Sequence, residues 1–240
     1  MAMGRIHSWE SMGLVDGPGI RTVIFLQGCR LRCRYCHNPD TWELCGGGTL
    51  ESPEETVNRL MRFKPYYGAD GGVTFSGGEP LLQKEFLTEV LALCKSRGIH
   101  TCLDTAGVGC GGYGEILKNT DLVLLDVKHY TPEGYQAVTS RSMDAYEEFL
   151  DAVQSMEVPL WLRHVVVPGL TDGEDHLAGL AEYVKGIRNE KRVELLPYHV
   201  LGVPKYRAMG IPYPLEGVPP MESGALVKWQ ERMNCGLKNG

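Results

Sequence analysis

Three cysteines lie close together near the N-terminus, in the segment GCRLRCRYCHNP of residues 28–39. Cys29, Cys33 and Cys36 have the spacing CxxxCxxC and directly follow an apolar run at 22–26. Thiolates are soft ligands that select iron–sulfur clusters, zinc or copper(I). A four-iron cluster held by three cysteines leaves one iron open to an exogenous ligand, as an open position does in a catalytic zinc site. The spacing therefore predicts a cluster that does chemistry as well as electron transfer.

Two other kinds of site fit the same residues. Cys33 to His37 matches the CxxCH pattern of covalent haem attachment. That chemistry requires export, and the N-terminal residues have no apolar core of the length that a secretory signal needs. A structural zinc site formed by the three cysteines and His37 would be closed, but zinc ligands usually come as two spaced pairs. The iron–sulfur cluster is the interpretation that the spacing favours.

Composition narrows the class of protein. The chain has 240 residues, 43% of them hydrophobic, which fits a single domain over residues 1–240. No apolar run approaches the ~18 residues of a membrane helix, so we expect a soluble protein with no membrane partner. Eight cysteines are too sparse for a disulfide scaffold, and a reactive cluster loop favours a reducing compartment, the cytoplasm.

Charge bears on the partners. The net charge of −6 argues against a large phosphate-binding surface, so we expect no nucleic-acid partner. Arg30, Arg32 and Arg34 are a local exception. They form either a solvated rim of the loop or a docking contact for an acidic protein partner or electron donor.

Strand and helix patterns alternate along the chain, with a helix start at Ser52–Pro53 and a helix stop at Gly98. This alternation predicts an α/β fold in which outer helices cover a parallel sheet. Six strand–helix units are fewer than the eight of a closed barrel, so we expect an open (β/α)6 partial TIM barrel over about residues 20–200. A loop at 201–220 and a helix at 225–233 complete the chain. Strands are predicted at 20–27, 73–76, 99–103, 122–127, 159–167 and 193–196.

Polar residues gather at the predicted strand ends, where βα barrels build their active sites. Each one alone could cap a helix or pair on the surface. Together with the cluster they suggest a pocket for a zwitterionic nucleoside, with acids for its ammonium and hydroxyl groups and a cation for its carboxylate. The strand-end residues are Asp104, Asp126, Lys128, Arg163 and His199.

Two glycine-containing turns could also contribute to this pocket. Gly77-Gly78-Glu79-Pro80 ends the strand at 73–76, one strand–helix unit after the cysteine loop. Such a turn is weak on its own, because any sharp βα turn could use it. Asp16 lies in the turn VDGPG of residues 15–19, where it either caps the turn or faces the same cavity as the cluster.

The cysteine loop followed by the GGEP turn resembles the radical S-adenosylmethionine (SAM) enzymes. Several further segments resemble the glycyl-radical-enzyme activases within that superfamily, over about residues 4–210. The resemblance implies a [4Fe-4S] cluster, SAM bound to the open iron, and removal of a hydrogen atom from a backbone glycine of a protein substrate. The segments are SWES, VDGPGIR, CRYCHN, HTCLDT, TDLVLLDVK, RHVVVPG and ELLPYH.

The resemblance also implies residue roles. Cys29, Cys33 and Cys36 bind the cluster, and the GGEP turn contacts the amino group of SAM through its backbone and carboxylate. Asp104 and Thr105 bind a monovalent cation beside the SAM carboxylate, and Asp16 contacts the glycine loop of the substrate. The pocket argument adds Arg163 to the residues that line the SAM site, which are Tyr35, Cys36, His37, Gly77, Gly78, Glu79, Asp126, Val127, Lys128 and His199.

The segment after the cysteine loop bears on the protein substrate. Other activases often carry a cysteine-rich insert after the first loop, whereas residues 38–76 contain only Cys45. This favours the branch that acts on pyruvate formate-lyase. The resemblance also implies a flavodoxin- or ferredoxin-type electron donor, and we expect a monomeric enzyme. The glycine-rich segment 107–114 and the tail after Gly210 depart from the family pattern. The cysteines outside the loop form no second cluster motif; they are Cys45, Cys94, Cys102, Cys110 and Cys235.

Three alternatives remain open at this point. The chain could activate another glycyl radical enzyme, or it could be a radical SAM enzyme that acts on a small molecule in a closed pocket. A pure electron carrier would bind the cluster without SAM.

Overall fold

The computed structural model describes residues 2–237, with the side chains of residues 223 and 235–237 outside the description. Its sheet has eight mostly parallel strands in the order β3-β1-β2-β4-β5-β6-β7-β8, with helices outside it. The predicted α/β class, a partial barrel of parallel strands, is confirmed. The strands are β1 (Gly4–Gly13), β2 (Arg21–Leu26), β3 (Thr49–Glu51), β4 (Gly72–Gly77), β5 (His100–Thr105), β6 (Leu122–Asp126), β7 (Leu160–Val166) and β8 (Glu190–Pro197).

The helices are amphipathic, and their apolar positions are buried at helical spacing, as Phe86, Leu87, Val90 and Leu91 show in the second helix. None of the helices between residues 2 and 237 has the length and apolar character that crossing a membrane requires. The helices are α1 (Pro53–Leu60), α2 (Lys84–Ser96), α3 (Gly114–Lys118), α4 (Pro132–Thr139), α5 (Asp144–Ser155), α6 (Glu174–Lys185), α7 (Val203–Met209) and α8 (Val227–Leu237).

Contacts within the chain divide it into two compact units. The first comprises the residues up to Arg30, with Thr41–Leu125 and Asp144–Pro159. The second comprises Leu31–Asp40, Asp126–Met143 and the residues from Leu160 onward. The single domain expected from the length stays a prediction.

In the first unit, β2, β4, β5 and β6 run parallel and in register, with Leu26 opposite Gly77 and Phe75 opposite Leu103. Their apolar residues, such as Val23 and Phe75, are fully buried and form the core of this unit. Because parallel strands in register end at one edge, the residues that follow β2, β4 and β5 lie along the same edge of the sheet.

β1 and β3 were not predicted. β1 pairs antiparallel with β2 on one side and with β3 on the other. Its residues from Ser8 to Met12 are partly or fully exposed. A half-exposed strand of polar residues carries no continuous apolar run, so the pattern that revealed the parallel strands was missing here.

In the second unit, β7 and β8 pair in parallel, with Arg163 opposite Glu194. The loop predicted at 201–220 is wrong in part, because it contains α7. Pro204 lies in the first turn of this helix, and Gly210 follows it in the left-handed conformation with a φ of 68°. Proline and glycine therefore mark the two ends of a short helix here, which is their usual asymmetry, although their abundance suggested a loop.

The helix start at Ser52 is confirmed. The Ser52 hydroxyl accepts from the Glu55 backbone N–H at 3.3 Å, and the Ser52 N–H donates to the Glu55 carboxylate at 2.8 Å, a complete capping box. The helix ends at Leu60, and a separate 3-10 turn covers Lys64–Tyr66. The last helix, predicted at 225–233, runs over Val227–Leu237.

We expect Ser52→Ala to lower the free energy of unfolding by about 1 kcal/mol, because the first turn of α1 loses its side-chain acceptor. Chemical denaturation of the two proteins measures the difference. Ser96→Ala, at the exposed end of α2, is the control and should change stability less. Equal losses in the two variants would contradict the capping role.

Candidate active site

The first cysteine of the loop belongs to the first unit. Cys29 is buried and lies just beyond β2. The Gly28 N–H donates to the Thr41 carbonyl at 2.7 Å, and the Cys29 N–H donates to the Trp42 carbonyl at 3.4 Å. The start of the loop is therefore held by hydrogen bonds to the residues at its other end, Thr41 and Trp42.

The other two cysteines belong to the second unit. The N–H groups of Arg32 and Arg34 donate to carbonyls of α4 at 2.9 and 3.0 Å, and the Cys36 N–H donates to the Cys33 carbonyl at 3.1 Å. Burial raises the pKa of the Cys33 thiol to about 12, although Lys128 opposes this shift. Iron–sulfur ligation deprotonates such a thiol outright, so cluster assembly would release its proton.

None of the seven cysteines whose side chains are described, Cys29, Cys33 and Cys36 among them, forms a disulfide. Among the described residues, no three histidine, cysteine, aspartate or glutamate side chains are arranged to hold a single metal ion. A four-iron cluster takes one thiolate per iron, so its ligands need not converge on one point.

A partly buried ion pair lies beside the loop in the second unit. The Lys128 ammonium donates to the Asp126 carboxylate at 2.6 Å, and it lies 5.6 Å from the centre of the Tyr35 ring. Burial alone would lower the pKa of Lys128, but the Asp126 carboxylate, with Tyr35 and Cys33, outweighs burial and raises it well above its usual value. The side chain of Lys128 is only 13% exposed, so this is not the surface pair that was the alternative.

The Tyr35 hydroxyl is buried and has no hydrogen-bond partner within the described chain. An orphaned buried hydroxyl is costly, and it is the kind of group that a bound polar molecule satisfies. This observation fits a ligand at the loop.

Two histidines predicted in the SAM site are brought together. The rings of His37 and His199 stack with their centres 3.8 Å apart, and His37 Nε2 donates to the His199 carbonyl at 3.1 Å. Burial, with His199 as a second cause, lowers the pKa of His37 to about 4. His37 is therefore neutral at neutral pH, with one ring nitrogen held by the backbone.

Arg163 lies within β7, level with the end of β6, because the Val127 N–H donates to the Arg163 carbonyl at 2.8 Å. Its Nε donates to the Glu194 carboxylate at 3.2 Å, and the other oxygen of that carboxylate accepts from Arg192 at 2.6 Å. Glu194 thus orients the buried guanidinium. The predicted contact of Arg163 with SAM stays a prediction.

The sequence reasoning did not assign a role to His164 and His176. His164 Nδ1 donates to the Val127 carbonyl at 2.6 Å, which leaves its Nε2 as an acceptor for His176 Nε2, 3.1 Å away. These two rings support the strand end that carries Asp126 and Lys128. The histidines are 12 residues apart across a loop, and no spacing rule in the sequence would have connected them.

The GGEP turn packs directly on the start of the cysteine loop, within the first unit. The Gly78 N–H donates to the Leu26 carbonyl and the Glu79 N–H to the Gly28 carbonyl, both at 2.8 Å. A Cβ at Gly77 would overlap the backbone of Leu26, and a Cβ at Gly78 would overlap the carbonyl of Gly28. Both glycines are therefore required by this close approach.

The Glu79 carboxylate is fully buried and accepts hydrogen bonds from other groups of the chain. One oxygen accepts from the Leu81 N–H at 3.2 Å and from the Thr105 hydroxyl; the other accepts from the N–H groups of Ala106 and Val108 at 3.0 and 3.5 Å. Burial raises the pKa of Glu79, and these hydrogen bonds oppose the shift. The carboxylate thus holds the segment after β5 in place. Its predicted contact with the amino group of SAM stays a prediction.

The predicted cation ligands adjoin this carboxylate. The Asp104 carboxylate accepts from the Ser76 hydroxyl at 2.7 Å, and the Thr105 hydroxyl, which donates to Glu79, also accepts from the Gly107 N–H at 2.9 Å. Both residues end β5 in the first unit. The arrangement brings two oxygen-bearing side chains to the edge of the sheet.

Asp16 is half-buried in the turn between β1 and β2, and its carbonyl accepts from the Thr74 hydroxyl at 2.6 Å. The two residues before it are apolar and exposed: Leu14 by 71% and Val15 by 78%. The turn thus presents an acid beside an apolar surface.

Comparisons with known proteins identify the family of this chain. Residues 23–181 match the family model described as the Radical SAM superfamily. The chain is 57% identical over 223 residues to the pyruvate formate-lyase-activating enzyme of Clostridium pasteurianum, covering 92% of this chain and 93% of the relative. It is 45% identical to the enzyme of the same name from Listeria monocytogenes, covering 90% of each.

Among solved structures, a domain of a pyruvate formate-lyase-activating enzyme from Bacteroides vulgatus superposes with a TM-score of 0.56 at 24% identity. The match covers 69% of this chain and 94% of that one, and it bears on the fold alone. The fold and the cysteine loop define a radical SAM protein. Within that superfamily the chain belongs to the family of pyruvate formate-lyase-activating enzymes. Membership in this family implies a [4Fe-4S] cluster and SAM as cofactors.

We expect Glu79→Gln to lower the free energy of unfolding by about 1 to 3 kcal/mol. The amide nitrogen that replaces one carboxylate oxygen cannot accept, so buried N–H groups after β5 lose their acceptor. Chemical denaturation measures the loss, with Glu85→Gln on the exposed face of α2 as the control. A loss no larger than that of the control would contradict the role assigned to this carboxylate.

We expect stability to fall as the pH drops below about 6.5. Burial lowers the pKa of His164 to about 3 and that of His176 to about 4. Below pH ~6.5 these two side chains therefore bind protons in the unfolded chain but stay neutral in the folded chain. The stability present above pH ~6.5 is lost progressively towards pH 4 and below. His176→Gln should give a shallower slope of unfolding free energy between these limits, and parallel curves for the two proteins would contradict this linkage.

Proposed function

We propose that this chain activates pyruvate formate-lyase by removing a hydrogen atom from one of its backbone glycines, using a [4Fe-4S] cluster and SAM. The observation that carries the proposal is the CxxxCxxC loop at the end of β2, in a chain 57% identical over 92% of its length to an enzyme of that name. Activation of another glycyl radical enzyme remains the nearest alternative.

The residues of the loop fit an iron–sulfur cluster that is held by three cysteine ligands. Cys29, Cys33 and Cys36 form no disulfide, and the loop that carries them is held by hydrogen bonds from its backbone N–H groups. When bound, the reduced cluster supplies one electron to SAM and so a hydrogen-abstracting species, with methionine and 5′-deoxyadenosine as products. The chain's part is to hold the thiolates and to orient the nucleoside and the glycine.

The residues of the second unit fit a zwitterionic nucleoside. The partly buried Lys128 ammonium is the group best suited to a carboxylate, and Asp126 beside it suits an ammonium or a hydroxyl. The orphaned Tyr35 hydroxyl and the neutral His37, stacked on His199, supply further polar contacts. We assign the SAM contacts to these residues and to the Gly78 backbone, with Arg163 as a further cation.

Asp104 and Thr105 are our candidates for a monovalent cation. A carboxylate and a hydroxyl are hard oxygen ligands of the kind that such ions take. Ser76 and Glu79 orient the two side chains, which supports a prearranged pair of ligands.

A backbone glycine suits this chemistry, because its radical is stabilised by the flanking amide and carbonyl and no side chain obstructs the approach. Transfer requires the glycine to be held within about 3 to 4 Å of the abstracting atom. We propose that Asp16 contacts the glycine loop of the substrate, with the exposed Leu14 and Val15 beside it. A flavodoxin- or ferredoxin-type protein would supply the electron, and the monomer in a reducing cytoplasm is the state we expect to act.

The test is anaerobic incubation of the reconstituted, reduced enzyme with SAM and pyruvate formate-lyase, followed by electron paramagnetic resonance. A glycyl doublet should grow in step with the release of 5′-deoxyadenosine. Alanine at Cys29, Cys33 or Cys36 should abolish both signals. Cys45→Ala is the matched control, because this exposed thiol lies outside the loop motif, and it should retain both.

The outcomes separate the alternatives. Cleavage of SAM without a doublet on pyruvate formate-lyase, but with one on another glycyl radical enzyme, would reassign the partner. Cleavage without any doublet would favour a small-molecule substrate, and a cluster that does not cleave SAM would favour an electron carrier. Loss of iron in Cys45→Ala would overturn the ligand assignment.

A further inference from the structure

A buried arginine next to the Asp16 turn has no role in the site described so far. Arg21, the first residue of β2, is fully buried. Its Nη1 donates to the Pro18 carbonyl at 3.1 Å and to the Asp70 carbonyl at 3.4 Å. Its Nη2 donates to the Val73 carbonyl at 2.6 Å and to the His100 carbonyl at 3.3 Å. The guanidinium thus joins the turn before β2 to the starts of two neighbouring strands.

The partners of Arg21 in these hydrogen bonds are carbonyls, a hydroxyl and the ring of His100. Burying a cation among such neutral acceptors is expensive, and an apolar side chain of similar volume often serves stability equally well. Burial lowers the pKa of Arg21, but a guanidinium stays protonated in proteins. The planar, five-donor geometry of this group therefore suggests that it orients the backbone around it.

Thr74 connects this arginine to Asp16. The Thr74 hydroxyl accepts from Arg21 Nε at 2.7 Å and donates to the Asp16 carbonyl at 2.6 Å. Arg21 itself holds the carbonyl of Pro18, two residues further on. One hydrogen-bond network therefore holds the backbone carbonyls of both Asp16 and Pro18.

The glycine between those two points confirms how closely the turn packs on the arginine. Gly17 has a φ of 122°, and a Cβ there would lie 2.9 Å from Arg21 Cδ. Only glycine meets both conditions. The conformation of the turn is thus set by the buried side chain beneath it, while Leu14 and Val15 just before it stay exposed.

We propose that Arg21 and Thr74 are positioning residues, which hold the Asp16 turn in the conformation that receives the glycine loop of the protein substrate. The inference rests on the proposed function, because it needs a protein substrate that contacts Asp16. It adds that the docking turn is prearranged by a buried network and does not order itself on binding, which lowers the entropy cost of association.

The discriminating variant is Thr74→Val, which is nearly isosteric and removes only the hydroxyl that bridges Arg21 and Asp16. We expect the KM for pyruvate formate-lyase in glycyl radical formation to rise about threefold to tenfold, the equivalent of one hydrogen bond. The release of 5′-deoxyadenosine without the partner protein should not change. Thr74→Ser restores a hydroxyl and should bring the KM back towards the wild-type value.

Thr22→Val is the matched control. Thr22 is buried in β2 and its hydroxyl accepts from the Tyr67 hydroxyl at 2.8 Å, away from the turn. Thr74→Val loses two hydrogen bonds and Thr22→Val loses one, so both melting temperatures should fall, that of Thr74→Val by more. Only Thr74→Val should raise the KM.

Equal KM values for the two valine variants would overturn the proposal and leave Arg21 and Thr74 with a purely structural role, as would a Thr74→Ser variant that fails to restore the KM. Asp16→Ala provides the reference for a lost docking contact. Failure of the proposed function is seen separately, because the wild-type enzyme would then give no glycyl doublet at any concentration of the partner.

Discussion

The structure depends on the close approach of two backbone segments at the carboxyl edge of the first unit's sheet. Gly77 and Gly78 lie so near residues 26–28 that any side chain on either would overlap backbone atoms. Two backbone hydrogen bonds of 2.8 Å fasten this contact. Because Cys29 is the next residue along the chain, the direction in which the cysteine loop leaves β2 is determined by the turn after β4.

Charged side chains in the two units are each compensated in a different way. The carboxylate of Glu79 accepts from backbone N–H groups and a hydroxyl, the guanidinium of Arg21 donates mainly to carbonyls, and the ammonium of Lys128 pairs with a carboxylate. Most partners of Glu79 and Arg21 are backbone groups, which cannot reorient freely. Charges fixed in this way cost little reorganisation when a ligand binds. The radical chemistry of this family needs such rigidity, because the reaction rate falls steeply when a reacting atom is misplaced.

Several features of the fold were predictable because they are local. The apolar runs of β2, β4 and β6 and the capping box at Ser52 are each encoded within a few residues, and the structure contains them. β1 escaped detection because its half-exposed, polar residues carry no apolar run. The composition of segment 201–220 was misleading, since its proline and glycine bound the helix α7. Composition counts the prolines and glycines of a segment, but the structure here depends on their positions at the two ends of the helix.

The candidate site divides in the same way. The sequence by itself determined the chemistry, because three cysteines in one short loop can ligate a cluster whatever the rest of the chain does. It also determined the class of fold, through the alternation of strands and helices. Only the tertiary structure decided which charges are paired and which residues support them. Arg21 and His100 are 79 residues apart, and Glu79 and Ala106 are 27 apart. Such partners are set by the register of neighbouring parallel strands, and a shift of one residue would turn every one of these side chains to the opposite face of the sheet.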